Sequence, residues 1–406
     1  MECHRLAKSK GGYRLDTFEA LGRPGDSEAK PLVAGKPAAS ELYKLLVTDE
    51  DSDRMPKKAD SLSKAEIELI KRWITEGAKF DGKDPKRLLS DLSTKRMTVN
   101  TPPKYPRPLP VTALAASPDG KLLAASGYGE VTLWDVATLK LAGRIGNMPE
   151  RVTALRWCMP GNVLAVAGGT PGRSGEIWLV DMVLRKPLKR LATAPDTIQC
   201  LAVSPDGKCL AAGGTDNHVR LFDLPAGKLR WDLEGHADWV MALAFSPDSQ
   251  LLASASRDRT ARLFAVADGE IKATHTTHNA AVLSVVFAED GGQVFSGAAD
   301  GEIHGWNIEG KPDKKHGPIR PTREGVVQLA EGVKRLFASL ADKGVVELDA
   351  QARKVLRSFT PGVARVDALT FIIEPATLIT GAQNGEVRIW DLKEGKERAK
   401  FLASPQ

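Results

Sequence analysis

The chain is poor in cysteine and aromatic residues and has no long apolar run. Four cysteines in 406 residues exclude a small disulfide-stapled scaffold. No stretch approaches the roughly 18 uninterrupted apolar residues of a membrane-crossing helix, so no membrane span is expected. The net charge of +6 is modest, and residues 1–110 hold 22 Lys and Arg against 17 Asp and Glu, with 35 against 34 in the rest. A nucleic-acid stripe needs clustered basic residues with few intervening carboxylates. Five spare charges among many acids instead predict a mildly cationic docking face and no nucleic-acid partner. Gly168-Gly169-Thr170-Pro171-Gly172 lacks the Gly-Lys-Ser/Thr ending of a phosphate loop and reads as a turn. The acidic run Asp49 to Asp53 lacks calcium-loop spacing. Cys158, Cys200 and Cys209 lack the paired spacing of a zinc site and read as buried small residues. His218 and His304 read as surface or groove residues.

What is present is a repeat. An apolar residue followed by a small, mostly acidic one recurs as Trp134-Asp135, Val180-Asp181, Phe222-Asp223, Phe264-Ala265, Trp306-Asn307, Leu348-Asp349 and Trp390-Asp391; the first step is 46 residues and the other five are 42. Such a period with a Trp-Asp signature is that of a four-stranded propeller blade. Short alternating runs flank the turn Ser117-Pro118-Asp119-Gly120, and Ser-Pro-Asp returns at 204–206 and 246–248. Residues 111–403 thus resemble a seven-bladed WD-repeat propeller, all β. Glu397 to Leu402 reads as an outer strand, and Met97 to Asn100 as a strand closing the ring.

Two repeats carry a polar set shifted by 42: His236, Ser254, Asp258 and Phe264, then His278, Ser296, Asp300 and Trp306. The resemblance implies a structural hydrogen-bonded network at these positions. Recurrence at the repeat spacing sets this His-Ser-Asp combination apart from a hydrolase triad, and no other convergent acid, base and nucleophile is present, so no enzyme is expected. The remaining repeats lack the histidine and are expected to rely on apolar packing alone.

Residues 1–83 show helical periodicity. Ser63-Lys64-Ala65-Glu66 is a capping box that opens a helix through Ile67, Ile70 and Ile74 to Gly77. Ala38 to Val47 reads as a second helix burying Leu42, Leu45 and Leu46. Residues 84–110, rich in proline from 102 onward, read as a stiff linker. The chain opens Met1-Glu2-Cys3-His4, the last four positions of a Cys-x-x-Cys-His haem attachment motif. There follow Lys10 to Asp16 (Lys-Gly-Gly-Tyr-Arg-Leu-Asp), Gly25-Asp26-Ser27, Gly35-Lys36-Pro37, Asp53-Arg54-Met55-Pro56, Leu62-Ser63, and Trp73-Ile74 ahead of Gly77-Ala78. In that order these resemble the planctomycete-type cytochrome c domain, small and all-α.

The resemblance implies covalent haem c, with Cys3 as the second thioether cysteine, His4 as proximal iron ligand and Met55 as distal ligand. The first attachment cysteine is missing from the sequence. The expectation is that Met1 is an internal methionine of Cys-Met-Glu-Cys-His, with an export signal lost upstream. The whole then reads as an exported bacterial protein, periplasmic or in the cell envelope. An electron-transfer domain is tethered to a propeller whose face docks a protein redox partner or multiprotein complex. The alternative is a non-redox interaction scaffold with a vestigial, haem-free cytochrome domain.

Overall fold

The computed structural model describes residues 14–15, 17–48, 50, 54–55, 62–80, 85 and 101–405 except 160, 314–316, 323, 333–334, 343, 350–353, 361 and 363; of 4–5, 8–9 and 331–332 it describes the backbone. The chain divides into two compact units, Met1–Met97 and Thr98–Gln406.

In the first unit, α1 (Phe18–Leu21), α2 (Glu41–Val47) and α3 (Lys64–Thr75) form as local signals dictate. Both bonds of the capping box are made at α3: Ser63 Oγ accepts from the Glu66 amide at 3.3 Å, and the Glu66 carboxylate accepts from the Ser63 amide at 2.8 Å. The helix expected from Ala38 is broken. Pro37–Ala39 is a single 3-10 turn, and α2 starts only at Glu41. Ser40 between them is extended, its buried hydroxyl accepting from the Val33 amide at 2.9 Å and donating to the Lys36 carbonyl at 3.0 Å. A serine that satisfies loop backbone in this way competes with helix continuation. The unit is not purely helical, because His4–Arg5 pairs antiparallel with Lys8–Ser9.

The second unit is all antiparallel sheet, with strands in chain order in every sheet. Seven-stranded pairing spans Leu114 to Ala194; four-stranded sheets follow at Ile198–Glu234 and Val240–His275, a three-stranded sheet at Val282–Asn307, and four-stranded sheets at Val326–Phe359 and Val366–Leu402. Each Ser-Pro-Asp turn is built alike: Ser117, Ser204 and Ser246 donate to Asp119, Asp206 and Asp248 at 2.6 Å, and each serine hydroxyl accepts the amide five residues on. The acidic half of the Trp-Asp signature caps the next turn; Asp135 accepts from the Thr138 amide and Asp391 from those of Lys393 and Glu394.

Two departures from seven equal four-stranded units have local causes. The first sheet has seven strands because Leu141–Cys158 runs unbroken through two repeats, pairing by Leu141–Gly146 with Trp134–Glu130 and by Arg151–Cys158 with Gly169–Val163. Its hairpin Val163–Thr170/Ser174–Asp181 has eight-residue strands where the next repeat has six, which accounts for the 46-residue step. Extension by two residues on each side keeps every side chain on its face. Among the described residues the fourth sheet has no regular outer strand. Prolines 312, 318 and 321 remove amide donors there, leaving two isolated bridges, Trp306↔Pro312 and Ile303↔Ile319.

The extension explains the glycine pair. A Cβ on Gly168 would lie 1.9 Å from the Arg151 carbonyl oxygen, and one on Gly169 2.0 Å from that of Ser174. Gly168→Ala is expected to lower stability by about 1–3 kcal/mol, read as a lower urea midpoint; an unchanged midpoint would contradict this close approach.

Apolar clusters fill the space between successive sheets. One joins Val111, Leu114 and Trp134 to Ile372, Ile379 and Ile389, so the last sheet packs on the first. Lys396–Leu402 is the outer strand of the last sheet. That sheet draws all four strands from Val366–Leu402; Met97 to Asn100, the expected closing strand, lies outside the described residues. Residues 401–405 are held by side chains and loops: Phe401 packs on Trp134 with ring centroids 4.8 Å apart, Thr132 Oγ1 donates to the Ala403 carbonyl at 3.1 Å, and the Tyr105 amide donates to the Pro405 carbonyl at 2.8 Å. The proline-rich residues 102–105, read as linker, are therefore docked on this unit, with Tyr105 buried.

Candidate functional site

In the first unit the Met55 amide donates to the Leu45 carbonyl at 2.8 Å, which ties that turn to α2. Met55 is half-buried, and so are Leu42, Leu45 and Leu46 of α2 and Ile67 and Ile70 of α3; Ile74 is fully buried. Phe18 stacks on Phe80 at 4.8 Å and meets Trp73 edge-on at 6.3 Å. Helices that leave several leucines and isoleucines half-covered offer an apolar cradle, and thioether plus imidazole is a donor set suited to haem iron. Met55 with this cradle fits such a group. Of His4 the structure describes the backbone, and Cys3 lies outside the described residues.

In the second unit His236, Ser254 and Asp258 converge. His236 Nε2 stands 2.6 Å from Ser254 Oγ and Nδ1 2.9 Å from Asp258 Oδ2, while Asp258 also accepts from the Ala237 amide and the Thr260 hydroxyl. Burial opposes the charge on Asp258, yet the bonds from His236 and Thr260 outweigh it and hold the carboxyl below the ordinary aspartate range. The serine is 0% exposed, so no substrate reaches it, and the group fastens the loop before Val240 to the turn after Ser256.

The second set is brought together differently. His278 Nε2 meets Ser296 Oγ at 2.7 Å, and Trp306 Nε1 donates to the same oxygen at 3.0 Å. Asp300 accepts from the Glu302 amide at 3.1 Å, as Asp258 does from that of Thr260 at 2.9 Å, but Nδ1 of His278 is buried without a partner. Around it stand two histidines that the preceding repeat lacks. His275 is stacked on Trp306 at 5.1 Å, and His304 is stacked on His278 at 3.9 Å. Burial drives the pKa of His275 down to about 4 and that of His278 to about 2, so both are neutral near pH 7. The positions 42 residues earlier are Leu233 and Arg262. Two departures from the repeat toward histidine were the signal that reading His304 alone overlooked.

Repeats without the histidine do not rely on apolar packing alone. Glu130, 1% exposed, takes two bonds from Arg144 at 2.6 and 2.7 Å and one from Tyr105 at 2.7 Å. Glu347 is held between Arg335 and Arg357. His218 is paired with Asp232 at 2.7 Å. Cys158, Cys200 and Cys209 are free and buried, and burial pushes the Cys200 thiol up to about 12 and the Cys158 thiol to about 11. Beside the His236 loop, Trp239 is exposed, with the Arg257 guanidinium 4.2 Å from its ring centroid. Exposed Trp and Arg of this kind anchor many protein interfaces.

Comparison with known proteins places both parts. The family described as Planctomycete cytochrome C matches residues 1–59, and the family described as WD domain, G-beta repeat, matches residues 105–135, 185–223, 227–264 and 269–307. The chain is similar to the WD repeat-containing protein VIP3 of Arabidopsis thaliana, 32% identical over 142 residues, covering 32% of this chain and 43% of that protein. It is also similar to transcription initiation factor TFIID subunit 5 of Caenorhabditis elegans, 29% identical over 128 residues, covering 31% of this chain and 19% of that protein. The chain thus spans less than half the length of these relatives. It joins a segment of the planctomycete cytochrome c family to a region of WD repeats.

Proposed function

We propose that the protein is a one-electron carrier attached to a protein-docking platform. The platform is a seven-bladed propeller, two of whose blades share the long first sheet. In support, a Cβ on Gly213 would meet Val240 at 2.5 Å, one on Gly297 would meet Val326 at 2.6 Å, and one on Gly381 would meet Val111 at 2.5 Å. The same glycine-to-valine contact thus recurs between neighbouring repeats and between the last repeat and the first. Its face, with Trp239 and Arg257, docks a protein redox partner or a multiprotein complex.

The observation that carries the redox reading is the match of residues 1–59, which takes in Cys3, His4 and Met55. In this reading Cys3 would anchor haem c covalently, and His4 and Met55 would hold its iron. When bound, haem c would supply an Fe(III)/Fe(II) couple, which held by imidazole and thioether is suited to electron transfer rather than oxygen activation. The half-covered apolar residues of α2 and α3 would shield it from water. Covalent haem attachment normally follows export, which supports a periplasmic or cell-envelope location in this reading.

The test is a reduced-minus-oxidised visible spectrum of the chain, exported behind a signal peptide in cells with haem-attachment machinery, with and without a cysteine ahead of Met1. A low-spin spectrum that survives denaturation, and whose methionine ligation is lost in Met55→Ala, is expected. No attached haem in either form would overturn the redox reading. The non-redox scaffold would then lead, with partner binding unaltered by Cys3→Ala and His4→Ala.

A further inference from the structure

Three of the chain's seven histidines, His275, His278 and His304, meet at the boundary between the third and fourth sheets, and one ring nitrogen of each lies within 4.8 Å of the other two. Each ring commits one nitrogen outward. His275 Nδ1 faces the Gly310 carbonyl at 3.3 Å, His304 Nε2 the Glu302 carboxylate at 3.0 Å, and His278 Nε2 the Ser296 hydroxyl at 2.7 Å. A carbonyl and a carboxylate only accept, so the neutral forms of His275 and His304 carry their protons there and keep lone pairs on Nε2 and Nδ1. Those lone pairs face each other at 3.3 Å. The Thr277 hydroxyl stands 2.8 Å from one and 2.9 Å from the other, but has one proton for the two. His278, 4% exposed, adds a ring nitrogen with no partner.

We infer that His275, His278 and His304 form a binding site for a divalent transition-metal ion of the zinc class, with a fourth position open to solvent beside Thr277. Outward hydrogen bonds from each imidazole to a carbonyl, carboxylate or hydroxyl are the arrangement that orients histidine ligands on a metal. Two nitrogens on one tetrahedral zinc ion stand about 3.3 Å apart, the separation of His275 Nε2 and His304 Nδ1. The third donor is the unpartnered Nδ1 of His278, whose ring, stacked on His304, turns to direct that lone pair at the ion. The Glu302 carboxylate, itself paired with Arg320, adds negative charge behind His304. Thr277 is exposed, which gives the ion an entry path. The ion ties the strand Ile271–His275 of the third sheet to Ile303–Asn307 of the fourth, the sheet with no regular outer strand among the described residues.

The test uses the full chain without a polyhistidine tag, stripped with chelator and titrated with Co²⁺ and then Zn²⁺ at neutral pH. One equivalent of Co²⁺ is expected, with the visible bands of a tetrahedral nitrogen and oxygen site and no thiolate charge transfer, displaced by one equivalent of Zn²⁺. The double variant His275→Leu/His304→Arg restores the residues of the preceding repeat and should lose affinity by about 100-fold or more with its circular dichroism unchanged. His304→Gln serves the same purpose if the double variant misfolds. No stoichiometric Co²⁺ binding overturns the proposal. So does binding that persists in these variants, or that is lost only on Cys3→Ala/His4→Ala, which would place the ion in the first unit.

Discussion

Arg144→Met is expected to destabilise the WD-repeat unit by about 3–5 kcal/mol, because it leaves the Glu130 carboxylate buried with its charge uncompensated. The arginine holds that carboxylate through two nitrogens and also donates to the carbonyls of Pro103 and Pro102 at 2.8 and 2.6 Å. Losing it costs twice over, since the docked segment before the first strand is released as well. Urea unfolding measures the first effect, and proteolysis around residues 101–105 the second. Glu130→Gln in the Arg144→Met background should recover much of the loss, since a neutral amide has no charge to bury. Wild-type stability in the single variant would show that the pair contributes nothing.

The second large effect is at the His236 group. His236→Ala strands the Ser254 hydroxyl, fully buried, at a cost of about 1–3 kcal/mol, and takes from Asp258 one of its bonds while Ala237 and Thr260 keep theirs. A loss of about 3 kcal/mol in urea unfolding is therefore expected. The same group makes stability depend on acid. Asp258 has its carboxyl held below the ordinary range in the folded protein, so the unfolded chain binds the proton more readily. Its stabilisation is complete above the unfolded value of about 4, and is lost as pH falls from there toward the folded value. Asp258→Asn should be less stable at neutral pH and should show a flatter decline on acidification. Parallel pH profiles for the two proteins would remove Asp258 from the account.

Much of this was legible in the residues. The 42-residue recurrence, the Ser-Pro-Asp turns, the outer strand near 397–402 and the capping box at Ser63 are set by neighbours in sequence, and local chemistry dictates them. The site at His236, Ser254 and Asp258 was legible because the same spacing returned one repeat later. Asp300 shows the limit of that reasoning. It sits at the right spacing and takes the Glu302 amide as Asp258 takes that of Thr260, yet Nδ1 of His278 is left without a partner and His304 is stacked on the ring. Spacing places a residue on a turn; rotamers and neighbours choose its partner.

The sequence by itself therefore determined the repeat, its turns, the capped helix that opens at Ser63 and the family to which residues 1–59 belong. Only tertiary structure decided three other matters. Leu141–Cys158 runs through two repeats as one strand, the last sheet packs on the first through Val111 and Ile379 with residues 401–405 held against Trp134 and Tyr105, and His275, His278 and His304 come together. The physical reason is the same in each case. Periodicity within a chain reports which face a side chain occupies, whereas contacts across neighbouring sheets join residues whose separation along the chain carries no period.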